Sequence, residues 1–278
     1  MILNYEHYEL NGFPVFERVT FAPPFKPSVT YDQEACFIYS LSGNGQLYGG
    51  VAQDTVSPHE SILMKCGSFL NHWRASEDGK PCKIIAIHVT PDILNRVYQN
   101  ALPDFLMAQH TSTMIFERIS QQLVIDEYIK GLVFYFDHPE LINEDLIILK
   151  LKELILLLYQ VDYGNIRLLL STLFTPVDLS FKSIVEAHLY EELELKDFAA
   201  LTNTSLSTFK RRFKQIFQEP PAQFIMQKRL EKAANLLKTS RNSVTDICFN
   251  CGFKDLSAFS KSFSKRYGMS PLGYRKTS

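Results

Sequence analysis

The sequence predicts an α+β protein of two domains: an N-terminal β-barrel with a helical segment, followed by a C-terminal domain built only of helices. Two patterns carry this prediction. They are short apolar segments separated by turns before residue 90, and a repeated pair of helices in the last hundred residues. We expect the first domain at 1–170, with its barrel ending at about 90 and helices at 91–170, a linker at 171–180, and the second domain at 181–278.

Short strands are predicted in the first ninety residues. The segments ACFIYSLSG, which begins at Ala35, and KIIAIHV, which begins at Lys83, are rich in apolar and β-branched residues. The sequence SGNG at 42–45 is typical of a turn. Several short strands joined by turns favour a small barrel or sandwich.

A long helix, NEDLIILKLKELILLLYQ, is predicted at 143–160. Asn143 is a suitable N-cap, and Glu144 and Asp145 complement the helix dipole in the first turn. The helix is apolar on more than one side, so it needs partners on two faces. It is either buried within its own domain or it also forms the seam of a homodimer.

The two predicted domains carry opposite charge. Residues 181–278 contain 17 Lys and Arg and 9 Asp and Glu, a net charge of +8, although the whole chain has a net charge of −1. The remaining residues therefore carry −9. A basic half joined to an acidic half indicates that one part meets a polyanion, with two oppositely charged solvated surfaces as the alternative.

Membrane and secreted classes are disfavoured by the sequence. The longest stretch without charge, 35–53, is broken by Ser, Gly, Asn and Gln residues, and the N-terminus lacks the basic start and apolar run of a signal peptide. We therefore expect no membrane partner, a cytoplasmic location, and reduced thiols for the five cysteines.

The last hundred residues contain a repeat. The positions that recur with a shift of 50 residues are Phe209, Phe213, Phe217, Pro221 and Phe224, and then Phe259, Phe263, Tyr267, Pro271 and Tyr274. Upstream the shift is 49, so that Ala199 corresponds to Cys248 and Asn203 to Gly252. Each half predicts a short helix, a left-handed turn residue and a longer helix, which is the helix-turn-helix arrangement.

The two longer helices have opposite apolar and polar faces. The residues expected to face a core are Phe209, Phe213, Ile216 and Phe217, and then Phe259, Phe263 and Tyr267. The opposite faces carry hydroxyl, amide and basic groups: Ser207, Lys210, Arg211, Lys214 and Gln215, and then Ser257, Ser260, Lys261, Ser264 and Lys265. Small hydroxyls permit close approach to a major groove, and Lys and Arg reach phosphates or guanine edges. Any helix can have a solvated polar face, but two such faces in one repeat favour DNA binding.

The run RLEKAANLLKTSRNSVTDICFNCGFKDLSAFSKSFSKRYGMSP, from Arg229 to Pro271, resembles the AraC/XylS family of bacterial transcription regulators. It has the family's spacing of a small Ala233, Gly252–Phe253 and Ser270–Pro271, and the resemblance covers about 180–276. The resemblance implies a C-terminal domain with two helix-turn-helix units, whose longer helices enter successive major-groove faces on one side of double-stranded DNA.

The resemblance also implies which side chains meet the bases. The base-facing positions fall on Ser207, Lys210, Arg211, Leu256, Ser257, Ser260 and Lys261. Lys214, on the polar face of the first longer helix, is added to the predicted DNA-binding residues. Leu256 is apolar at a position that is often polar in the family. Its contact is either to a thymine methyl group or absent.

The N-terminal region more weakly resembles the cupin-like sensory domain that many family members carry. The segments similar to it are YSLSGNGQLYGG from Tyr39 and VSPHESILMKCGSFLNHW from Val56. The metal-binding cupin pattern is missing, because no His-x-His is followed by a Glu, and His59, His72 and His88 stand alone. We therefore expect no metal site, since a metal enzyme needs three or four converging ligands.

Three functions remain in competition. The leading hypothesis is a sequence-specific transcription regulator, not an enzyme, that contacts RNA polymerase. Its N-terminal domain senses a small molecule or a regulatory protein and dimerises through 143–160. The alternative is a cupin-type metalloenzyme with an accessory nucleic-acid-binding domain. In a third hypothesis the N-terminal half only dimerises or docks a regulatory protein. Residues that could line an effector pocket, but are better explained as core, are Phe37, Tyr39, Tyr48, Met64 and Trp73.

Cys248 and Cys251 have the C-x-x-C spacing of a zinc or redox site. Through the repeat, however, Cys248 corresponds to Ala199, where two helices that cross need a small buried side chain. Cys251 ends the first helix of its unit, and no second ligand pair lies nearby in the sequence. We therefore interpret both as structural residues, with a redox role as the alternative.

Overall fold

The computed structural model describes residues 1–74, 79–107, 112–119, 122–161 and 165–277. The chain divides into two compact units, Met1–Asp178 and Leu179–Ser278. The first combines β-sheets with helices, and the second contains helices only within its described residues. The predicted α+β class with two domains is confirmed at this level.

Ten strands form two antiparallel sheets in the described part of the N-terminal unit. They are β1 (Ile2–Leu10), β2 (Phe13–Phe21), β3 (Ser28–Tyr31), β4 (Ala35–Ser42), β5 (Asn44–Gly49), β6 (Ala52–Val56), β7 (Ser61–Met64), β8 (Gly67–Arg74), β9 (Cys82–Val89) and β10 (Phe116–Arg118). One sheet has the order β1-β2-β9-β4-β7-β10, and the other has the order β3-β8-β5-β6.

Aromatic side chains join the two sheets. Phe21 of the first sheet lies edge-on to Trp73 of the second, with ring centroids 5.6 Å apart, and Phe116 lies 6.5 Å from Phe69. Such rings bury large apolar areas, and so they hold the sheets together. The residues considered for an effector pocket are all buried here: Phe37, Tyr39, Tyr48, Met64 and Trp73.

Four helices pack against the larger sheet or against each other in the N-terminal unit: α1 (Pro91–Val97), α2 (Gln122–Asp137), α3 (Glu144–Val161) and α4 (Asn165–Ser171). The Asn143 side chain accepts a hydrogen bond from the Leu146 amide at 2.9 Å, which confirms the predicted N-cap of α3. One face of α3 packs into the core through Leu151, Leu154 and Leu158.

Two details of the predicted organisation differ in the structure. The segment 91–170 is not entirely helical, because β10 pairs with β7 at the edge of the larger sheet. The predicted linker at 171–180 begins too early, because Leu173 is buried in the N-terminal core and its carbonyl accepts a hydrogen bond from the Cys66 amide at 2.9 Å. Neither contact leaves a periodic pattern in the sequence.

Seven helices form the described part of the C-terminal unit: α5 (Phe181–Ala187), α6 (Leu195–Leu201), α7 (Leu206–Phe217), α8 (Pro221–Thr239), α9 (Val244–Asn250), α10 (Leu256–Tyr267) and α11 (Pro271–Lys276). The short α6 and the longer α7 form one pair, and α9 and α10 form the other, with α8 between them. Among the described residues, no helix is long and apolar enough to cross a membrane.

Candidate nucleic-acid interface

The first helix pair is defined by polar caps and a left-handed turn. The Asp197 carboxylate accepts a hydrogen bond from the backbone amide of Glu194 at 2.8 Å, which closes the start of α6. Asn203 has a φ of 48° between the helices, as its position in the repeat predicts. Ser205 then caps α7, because its hydroxyl accepts from the Thr208 amide at 3.2 Å.

The second pair repeats this design with other residues. Ser243 and Asp246 cap α9 reciprocally, each side chain accepting from the backbone amide of the other, at 3.0 and 3.2 Å. Gly252 has a φ of 79° at the turn. Asp255 caps α10 by accepting from the Ala258 amide at 2.7 Å. Both longer helices therefore begin at a fixed residue, which fixes the rotation of their side chains about the helix axis.

Phenylalanine stripes hold the longer helices on the core. Phe209 and Phe213 are fully buried on α7 with ring centroids 5.6 Å apart, and Phe259 and Phe263 have the same spacing on α10. The prediction that Ile216 faces the core is wrong, because its side chain is 40% exposed. Ile216 lies at the edge of the stripe, where the helix surface already turns toward solvent.

All of the predicted DNA-binding side chains except Ser260 are exposed in the structure. The exposed residues are Ser207, Lys210, Arg211 and Lys214 on α7, and Leu256, Ser257 and Lys261 on α10. Ser260 is half-buried. Its neighbour on the next turn, Ser264, is also half-buried, so α10 presents a less open face than α7.

The electrostatics of the two faces favour an anion. Within the described part of the C-terminal unit, no ion pair includes Lys210, Arg211, Lys214 or Lys261. A phosphate can therefore meet these cations without breaking an internal pair. Arg212 has a different role, which the sequence did not reveal. Its guanidinium lies 4.9 Å from the ring centre of Phe181, a cation–π contact that joins α7 to α5.

The C-x-x-C cysteines lie in the core of the second pair. Cys248 and Cys251 are both fully buried beside Ala233 and Phe259. Burial raises the pKa of the Cys248 thiol, and it raises the pKa of Cys251 to about 11. Because a thiolate is the form that binds metals and reacts, both side chains have the character of small apolar groups.

The three histidines considered for a metal site, His59, His72 and His88, have separate surroundings. His59 Nδ1 lies 3.1 Å from the Tyr39 hydroxyl, and the His72 ring lies 5.3 Å from that of Tyr48. His88 lies between two carboxylates, with Nδ1 2.6 Å from Glu34 and Nε2 3.3 Å from Glu17. Over the described ranges of the chain, no group of three or more His, Cys, Asp or Glu side chains is arranged to hold a metal ion.

Comparison with known proteins identifies the family. Residues 198–277 match the domain family described as "Helix-turn-helix domain". Residues 35–166 match the family described as "ExsA N-terminal regulatory domain". The transcriptional regulator ExsA of Pseudomonas aeruginosa is 30% identical over 227 residues, which are 80% of this chain and 78% of ExsA. The chain belongs to the AraC/XylS family. It is a DNA-binding transcription regulator.

Two further relatives of this AraC-family regulator match over shorter stretches. The transcriptional activator RhaS of Klebsiella pneumoniae is 38% identical over 92 residues, which are 33% of each chain. The DNA-binding domain of AdpA, solved in complex with a target DNA, is 32% identical and has a TM-score of 0.33. That match covers 35% of this chain and 87% of the AdpA domain, so both likenesses extend over about a third of the regulator.

Proposed function

We propose that this AraC-family regulator binds specific DNA sequences by placing α7 and α10 in successive major grooves on one side of the duplex. The observation that carries the proposal is the pair of matching faces. Each longer helix is N-capped, is anchored by two buried phenylalanines, and presents hydroxyl and basic groups away from the core. One such face is ordinary, but two at corresponding positions of a repeat form a composite surface for a polyanion.

The length of α8 suits this arrangement. Its 19 residues give a rod of about 28 Å at 1.5 Å per residue. Successive major grooves on one face of B-DNA lie about 34 Å apart. Helix pairs at the two ends of such a rod can therefore meet neighbouring grooves after modest bending of the DNA.

The contacts divide by chemistry. Lys210, Arg211 and Lys261, near the middle of the two helices, are assigned to guanine edges, and Lys214 to a phosphate. Ser207, Ser257 and Ser260 permit close approach and donate to bases or phosphates. The Ser207 hydroxyl also lies 3.0 Å from that of Ser205, the N-cap of α7, so its orientation is partly fixed. Leu256, which is 40% exposed, is placed against a thymine methyl group.

The N-terminal unit is assigned to sensing and dimerisation. We place the sensory role in the two sheets, as a cupin-like barrel within 1–170, and the DNA-binding role in 181–278. A small molecule or a regulatory protein that prefers one state of the regulator then changes its affinity for DNA or its contact with RNA polymerase. This function needs no catalysis, and the relatives that we compared are named as regulators and activators rather than as enzymes. The cytoplasm, where bacterial DNA is found, is the proposed location.

A second copy of the chain is the proposed occupant of the outer face of α3. Leu149 is 59% exposed and Leu156 is 43% exposed, and they are seven residues apart, which aligns them on one stripe. An apolar groove of about 350 Å³ runs along this stripe, with Leu157 in its wall and with Lys152 and Glu153 beside it. A symmetric pairing of two such helices covers both leucines and brings opposite charges together.

Selection of DNA from a randomised pool tests the proposed function. We expect the selected sequence to bind at least about 1,000-fold more tightly than random DNA at 150 mM salt, which is the usual margin for specific regulators. Equal affinity for selected and random DNA at that salt concentration would refute sequence-specific reading, while leaving non-specific DNA binding in place.

A further inference from the structure

The two helix pairs of the C-terminal unit meet at a junction centred on Arg229, near the middle of α8. Its guanidinium donates hydrogen bonds to four backbone carbonyls. Nε donates to Leu189 and Nη1 to Gly252, each at 2.8 Å, and Nη2 donates to Glu191 and Leu193. Within the part of the chain that the structure describes, no ion pair includes Arg229. The side chain is therefore committed to the backbone.

These carbonyls belong to segments that are far apart in the sequence. Residues 189–193 lead from α5 into α6, the first helix of the first pair, whereas Gly252 is the turn residue of the second pair. A planar guanidinium has five N–H donors spread over three nitrogens, and so it can bond two segments at once. One side chain thus ties the entry of the first pair to the turn of the second.

Two other contacts close the same junction. A Cβ atom added at Gly252 would lie 2.7 Å from the Tyr190 carbonyl oxygen and 2.8 Å from that of Glu191, so the second turn packs directly on the first segment. Lys254, just before α10, forms an ion pair with Glu194, the N-cap of α6, at 2.5 Å. Lys254 and Lys196 hold the pKa of Glu194 at about 2.

We propose that Arg229 is a positioning residue that fixes the distance and rotation of α10 relative to α7, and so determines the spacing between the two DNA segments that the regulator accepts. The helix α8 already joins the two pairs, because it packs on the second through Leu230 and Ala233 and contacts the first through Phe224. The junction adds a second attachment between the pairs. One inserted base pair moves the second segment by about 3.4 Å and rotates it by about 35°. If the junction holds α7 and α10 in one relative position, they cannot adapt to the altered spacing of the DNA segments. If the junction is broken, they can.

The proposal rests on the proposed reading of DNA by α7 and α10, and its test uses the full-length chain. The probes are the selected DNA, the same DNA with one base pair added or removed between its two segments, and random DNA. The variants are Arg229→Met, which removes the donors, and Arg229→Lys, which keeps the charge but has one nitrogen. Lys228→Met is the matched control, because it removes the same charge one residue away on α8, where Lys228 pairs with Glu231.

We expect wild type and Lys228→Met to bind the selected DNA about 10-fold or more tightly than either altered spacing. In Arg229→Met this ratio falls below about 3-fold while the affinity for random DNA changes by less than about 2-fold, because the phosphate-binding cations remain. Arg229→Lys gives an intermediate ratio. The circular dichroism of each variant shows whether it is folded.

Several results would overturn the assignment. One is an unchanged spacing ratio in a folded Arg229→Met. Another is an equal loss of affinity for selected DNA and for random DNA in Arg229→Met, which indicates that Arg229 contributes only to folding. If Arg229→Met does not fold, a full wild-type ratio in Arg229→Lys also overturns it. If wild-type protein itself ignores the spacing, the proposed two-helix reading of DNA fails instead, so the two failures are distinguishable.

Discussion

The Glu17–His88–Glu34 cluster makes the stability of the N-terminal unit depend on pH in a defined direction. His88 lies on β9, Glu17 on β2, and Glu34 just before β4, so the cluster links three neighbouring parts of the larger sheet. The Tyr5 hydroxyl donates to Glu17 at 2.6 Å, and the ring of Tyr31 lies 6.0 Å from that of His88. Replacement of His88 by Gln removes the cation and leaves two carboxylates facing each other.

The pKa shifts give the sign of the effect. Burial by itself lowers the pKa of His88, but Cys36, the ion pair with Glu17 and the hydrogen bond with Glu34 outweigh burial and raise it well above 6.5. Likewise burial raises the pKa of Glu17, but His88 outweighs burial and lowers it below 4.5. The His88 contribution is therefore complete below pH 6.5 and is lost as the pH rises toward its folded pKa. The Glu17 contribution is present above pH 4.5 and is lost as the pH falls.

The magnitude follows from these shifts. Removal of one partner from a buried pair costs about 3–5 kcal/mol of unfolding free energy. Above pH 6.5 the advantage of wild type over His88→Gln shrinks as the pH rises, by about 1 kcal/mol per pH unit and so by roughly 2–3 kcal/mol at pH 8.5.

Urea unfolding followed by tryptophan fluorescence measures this difference selectively. Trp73 is the one tryptophan of the sequence and is buried in the N-terminal unit, so its emission reports the unfolding of that unit. The control is His7→Gln, which removes an exposed histidine from its pair with Glu9 and is expected to cost less than about 1 kcal/mol. Parallel stability curves for wild type and His88→Gln between pH 5.5 and 8.5 would refute the reasoning.

Three further predictions concern the other surfaces and the cysteines. Leu149→Glu with Leu156→Glu converts a dimer to a monomer in sedimentation analysis, because four carboxylates then meet at the seam; an unchanged mass excludes α3 as the interface. Lys214→Met lowers the slope of log affinity against log salt by about 0.9, equally for selected and random DNA, and an unchanged slope means that Lys214 contacts no phosphate. Cys248→Ala with Cys251→Ala costs about 1–3 kcal/mol of stability but leaves the DNA affinity of the folded protein unchanged. A large loss of affinity that zinc or a reductant reverses in wild type would contradict that last prediction.

The parts of the fold that follow local rules could be predicted from the sequence. Asn143 caps α3, and Asn203 and Gly252 adopt left-handed conformations between their helices. These features depend on one or two residues and on spacings of three to four, which the sequence shows directly. The phenylalanine stripes follow from the same periodicity, although Ile216 shows that the edge of a stripe cannot be located from its period alone.

Features that join distant segments could not be predicted. His88 meets Glu34 across 54 residues, and Arg229 reaches Leu189 across 40. No periodic pattern marks either pair, because the partners are brought together by strand order and helix packing. In the candidate DNA interface, helical periodicity made the exposed faces predictable. The junction proposed to set their relative position was not predictable, because it joins distant segments.

Footprints of two single variants on the selected DNA test the central claim most directly. If α7 and α10 read separate segments, Arg211→Ala weakens protection and base preference in one segment only, and Lys261→Ala does so only in the other, about one helical turn away. We expect each variant to lose about 1–3 kcal/mol of binding free energy for its own segment. Loss at the same segment in both variants, or loss of sequence preference in neither, would contradict the reading of DNA by two helices.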